Sequence, residues 1–102
     1  MKFYIKHSMT GRLRVHMDMK HMSFKQADIL EYYIKNIETV TSVKVYEKTC
    51  DAVIEFSGDK VQIINELKHF TYSQVAVPDD VLNSSGREMN SYYQDKLVNK
   101  VF

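Results

Sequence analysis

The sequence predicts an α+β domain with two helices covering one face of a four-stranded antiparallel sheet. Three observations predict it. Apolar and polar residues alternate through residues 11–18, through Val43 and Val45, and through Ala52, Ile54 and Phe56, which is the period of a strand. Two intervening segments carry apolar residues at helical spacing. The segments run in the order strand, helix, strand, strand, helix, strand, the split βαβ or ferredoxin-like plan, βαββαβ.

The elements follow in order. Residues 2–7 read as a short extended lead, with Phe3 and Ile5 alternating with Lys2, Tyr4 and Lys6, and Gly11 breaks the pattern. In the first full strand Leu13, Val15 and Met17 face a core, while Arg12, Arg14 and His16 stand on the opposite face. Ser23 followed by Gln26 is a capping-box pattern, and Ala27, Leu30, Ile34 and Ile37 form the stripe of a helix ending near Asn36. β-branched VTSVKVYEKT, a turn over Lys48 to Asp51, and AVIEF then form a hairpin. After the turn at Ser57-Gly58-Asp59, Val61, Ile64 and Leu67 mark a second helix reaching about His69. SQVAV reads as a fourth strand, closed by Pro78. This reading places one domain over 1–77. Residues 78–102 are then a linker, broken by NSSG, and an amphipathic helical tail carrying Leu97, Val98 and Val101.

Composition narrows the function classes. A chain of 102 residues with 44% hydrophobic and 26% charged residues is long enough for a single modest core. A net charge of +1 argues against nucleic acid as a partner. No apolar run approaches the length of a membrane span, and no signal peptide is read at the start. The lone Cys50 excludes an internal disulfide and a two-cysteine metal grip, and fits a reducing compartment.

Four stretches carry a family resemblance: HSMTGRLRV at 7–15, ADILEYYIKNIETVTSVKVYEKT at 27–49, CDAVIEFSGD at 50–59 and REMNSYYQDKLVNKVF at 87–102. With these the chain resembles the amino-terminal, heavy-metal-associated-like domain of bacterial heavy-metal-translocating P-type ATPases, in the branch that lacks the CxxC pair. The resemblance implies a noncatalytic regulatory or metal-handling module at the cytoplasmic face of the membrane, with ATP-driven cation transport belonging to a longer protein. Its partners would be other domains of the same pump and a metal cation, with the membrane reached only through the full-length protein.

In copper-binding relatives the metal sits between the first strand and the first helix. The matching loop here is HMDMKHM, residues 16–22, without cysteine. Met19 and His21 are its candidate ligands, with Met17, Met22 and His16 as further members, for weak binding of Cu(I) or another soft metal. Against this, alternation assigns Met17 to the core and the helix start claims Met22 as a staple. The sequence favours a domain that has kept the fold and lost the ligand set.

The second candidate is a docking surface of Arg12, Arg14 and His16 on the open sheet face, suited to an acidic patch. The plainer reading is a solvated face with Arg12 or Arg14 paired to Glu55. Tyr46 is the one aromatic expected there, which speaks against base stacking. Cys50 reads as an incidental turn thiol, and no carboxylate pair or catalytic constellation is visible. The alternative to a pump module is a free-standing ferredoxin-like interaction domain, dimeric through its open face or an edge strand.

Overall fold

The computed structural model describes residues 1–75. Its elements are β1 (Phe3–Met9), β2 (Arg12–Met17), α1 (Phe24–Lys35), β3 (Val40–Tyr46), β4 (Asp51–Phe56) and α2 (Val61–His69), followed by a 3-10 turn at Tyr72–Gln74. The strands form one antiparallel sheet in the order β1-β2-β4-β3, and the two helices pack on one face of it. This is the ferredoxin-like α+β sandwich.

One element differs from the expectation. The lead over 2–7 is a full strand and fills the edge beside β2, where it pairs from Phe3↔Met17 to Met9↔Arg12. No strand forms at the start of SQVAV, where Tyr72–Gln74 is a 3-10 turn. The physical reason is chain distance. β1 and β2 are joined by the two-residue turn Thr10-Gly11, so β1 reaches the edge beside β2 by the shortest connection, and the Met1 amino group then meets the Lys68 carbonyl in the last turn of α2 at 3.2 Å. Gly11 adopts φ +75, and a Cβ built there would lie 3.3 Å from the Phe56 carbonyl oxygen. Glycine is therefore required at this turn. The chain after α2 is instead held at the helix ends: Phe70 packs between the rings of Tyr33 and Tyr72, each centroid 4.8 Å away. The end of SQVAV and the predicted tail lie outside the described residues.

The core forms where the sequence pattern places it. Leu13, Val15 and Met17 of β2 and Ala52, Ile54 and Phe56 of β4 meet Ala27, Leu30 and Ile34 of α1 and Ile63 and Leu67 of α2. The start of α1 is fixed by a complete capping box: Ser23 Oγ accepts from the Gln26 amide at 3.0 Å, and Gln26 Oε1 accepts from the Ser23 amide at 2.9 Å. The helices are tied together by Tyr33, whose hydroxyl donates to Glu66 Oε2 at 2.8 Å and to the Glu66 carbonyl at 3.0 Å. Burial and the Glu66 carboxylate push that phenol up to about 12. The outer edge at β3 is covered at one point, where the Val45 amide donates to Glu31 Oε2 at 3.1 Å. No helix among the described residues is long and apolar enough to cross a membrane.

Candidate functional site

The sheet face left open by the helices is organised in transverse rows, because strand register fixes which residues stand side by side. Tyr4 pairs with His16, His16 with Asp51, and Asp51 with Tyr46, giving one row across all four strands. The next row holds His7, Arg14, Val53 and Lys44, and the one after it Met9, Arg12, Glu55 and Ser42. A bulge in β1 between Ile5 and His7 leaves Lys6 as the extra residue beside the second row.

At the centre of the first row Asp51 is fully buried, the one buried charged side chain among the described residues. A carboxylate out of water demands partners, and three basic side chains supply them. Oδ1 accepts from His16 Nδ1 at 2.7 Å. Oδ2 accepts from Arg14 Nη2 at 2.9 Å and from Lys6 Nζ at 3.1 Å. These partners form a lid over Asp51, yet their own side chains remain 25%, 44% and 40% exposed for His16, Arg14 and Lys6. Burial pushes the Asp51 carboxyl up. Hydrogen bonds from His16, Lys6 and Arg14, together with the Lys6 charge, outweigh it and bring the pKa down to about 2.

Asp51 is therefore ionised at neutral pH, and an ionised carboxylate can only accept. The proton in the His16 bond lies on Nδ1, which leaves Nε2 as the ring nitrogen outside this pair. The Tyr4 ring packs on the imidazole, centroids 4.9 Å apart. At the other end of the row the Lys44 ammonium lies 5.4 Å from the centroid of the Tyr46 ring. Tyr4 is 57% exposed and Tyr46 40%. The face thus offers fixed cations over a buried carboxylate, with a half-exposed tyrosine at each end.

The sequence-predicted docking residues Arg12, Arg14 and His16 do share this face. The ion pair that forms differs from the one expected: Arg14 binds Asp51, while register sets Arg12 opposite Glu55. The sequence pattern places Asp51 at the end of a turn, and Tyr4 and Lys6 in a short lead. The available signal was alternation carried one residue further: with Ala52 and Ile54 inward, Asp51 shares the outward face of Val53 and Glu55.

The metal-loop residues are dispersed. Met17 and Met22 are buried in the core, and His16 stands on the other face of the sheet from Met17. Met19 packs against the core, and its sulfur accepts from the Tyr72 hydroxyl at 3.5 Å. His21 is exposed and lines a recess of about 390 Å³ with Lys20, Glu47 and Lys48. Among the described residues no group of three or more His, Cys, Asp or Glu side chains could hold a metal ion.

Cys50 is buried at the β3–β4 turn with φ +59, a left-handed conformation uncommon outside glycine. Burial, and then the neighbouring Asp51 charge, push its thiol up, away from the reactive thiolate. His69 Nδ1 is bonded to the Asn65 carbonyl on its own helix at 2.8 Å. No protein-family model, curated protein or solved structure matches the chain.

Proposed function

We propose that this chain is a noncatalytic docking module, the amino-terminal regulatory domain of a heavy-metal-translocating P-type ATPase, which engages the pump body through its open sheet face. The observation that carries the docking part is the basic sheet face that no described residue covers. Lys6, Arg12, Arg14 and Lys44 outnumber Asp51 and Glu55 there, and two of the cations are held in place by a buried carboxylate. Ordered cations suit recognition, since less side-chain entropy remains to be lost on binding. The pump context rests on the resemblance of HSMTGRLRV and the stretches that follow it. The metal-handling form of the reading has less support, because Met17 and Met22 are packed into the core and the Met19 sulfur is engaged by Tyr72.

The exposed Tyr4, Ile5 and Met9 on edge strand β1 favour a second reading, a free-standing interaction domain that pairs with its own copy. Reading the gene beyond codon 102 separates the two. A frame that continues into membrane segments and an aspartyl-phosphate motif is the expected result; a stop codon there overturns the pump reading and leaves the free-standing one. Sedimentation of the isolated chain is expected to give a monomer, and a dimer at micromolar concentration would instead favour self-pairing.

A further inference from the structure

We infer that Lys6 and Arg14 form a preorganised cradle for a carboxylate side chain presented by an extended acidic segment of a partner protein. This rests on the docking reading and names the chemistry of its central contact. Three observations lead to it. First, Asp51 Oδ2 holds one N–H from each cation, so the guanidinium and ammonium are fixed side by side while most of their donors have no partner among the described residues. Second, charge is left over. Two permanent cations face one buried carboxylate, an excess matched by one further carboxylate. Third, the bulge in β1 places Lys6 in the same neighbourhood as His7 and Arg14, concentrating basic groups in the second row.

The surroundings decide what carries the carboxylate. The face is a sheet surface flanked by Tyr4 and Tyr46 on the outer strands, roughly 14 Å apart at the usual strand spacing. That distance is about the span of an extended segment from residue i to i+4, so apolar side chains at its ends can rest on the tyrosines while an acid between them meets the cradle. A nucleic acid fits less well. Its phosphates require a continuous basic track, and Glu55 interrupts this one.

The test is fluorescence anisotropy and amide chemical-shift mapping with a labelled peptide rich in Asp and Leu. The controls are its Asn-for-Asp counterpart and an oligouridine. The expected result is salt-sensitive binding of the Asp peptide, with shifts centred on Lys6, Arg14 and Tyr4, and little binding of the two controls. Lys6→Gln keeps a hydrogen-bond donor for Asp51 and removes the charge; it should weaken the Asp peptide roughly three- to fivefold, as for a partly exposed ion pair. Its amide spectrum reports directly whether the fold is intact. Equal binding of the Asn peptide on this face, or tighter binding of oligouridine, overturns the carboxylate cradle while leaving an open-face docking surface. Shifts confined to other faces overturn both.

Discussion

Replacing Asp51 with Asn removes the charge that three basic side chains converge on while nearly preserving shape. The size of the effect follows from the carboxyl's displaced titration. Its pKa is about 2 in the folded chain against an ordinary value of 3.8. At 1.36 kcal/mol per unit, this difference makes the ionised carboxylate worth on the order of 2 kcal/mol to folding. Because the folded value lies below the unfolded one, the contribution is complete above about pH 4 and disappears as the pH falls through about 2. Urea denaturation of the parent and of Asp51→Asn, at neutral pH and across the acid range, measures it. The variant should be about 2 kcal/mol less stable at pH 7, and the gap between the two proteins should close between about pH 4 and pH 2. Exposure of Lys6 and Arg14 limits the loss, since both can turn to water once Asp51 is neutral. A gap under about 0.5 kcal/mol at pH 7, or one that does not change with acid, would refute the assignment of Asp51 as the electrostatic anchor of this face.

Charge changes on the same face should separate structure from recognition. Arg12→Gln should leave stability within about 0.5 kcal/mol by urea titration, because this cation does not bind Asp51, while lowering affinity for an acidic partner. Arg14→Glu should instead destabilise by about 2 kcal/mol or more in the same titration, since it sets a carboxylate against a buried one. Ser23→Ala should cost about 1 kcal/mol by removing the capping box of α1, read by thermal unfolding. Gly11→Ala should lower the melting temperature, as its backbone is at φ +75 and its Cβ would press on the Phe56 carbonyl. Cys50 in the folded chain should react slowly with iodoacetamide at neutral pH and rapidly in urea, followed by mass spectrometry.

The helices and the inner strands were legible because their signals are local. Ser23 and Gln26 satisfy each other's backbone within one turn. The alternation of β2 follows from a strand whose Leu13, Val15 and Met17 are all buried, with Arg12 exposed before them and Arg14 exposed and His16 half-buried between them. The edge was not legible. Phe3–Met9 and SQVAV carry comparable strand patterns, and the pattern alone does not decide which of the two takes the edge beside β2. On the open face, alternation alone places Arg12, Arg14 and His16, but it does not name their organising centre. Local alternation puts Asp51 on the outward face, but its role comes from side chains 35 to 45 positions away.

The sequence by itself determined a ferredoxin-like sandwich with a basic open face, because periodicity and capping depend only on near neighbours along the chain. Only the tertiary structure decided which segment completes the sheet and which acid anchors the face. Both depend on register, and register brings β1, β2 and β4 side by side so that Lys6, Arg14 and His16 close over a single carboxylate.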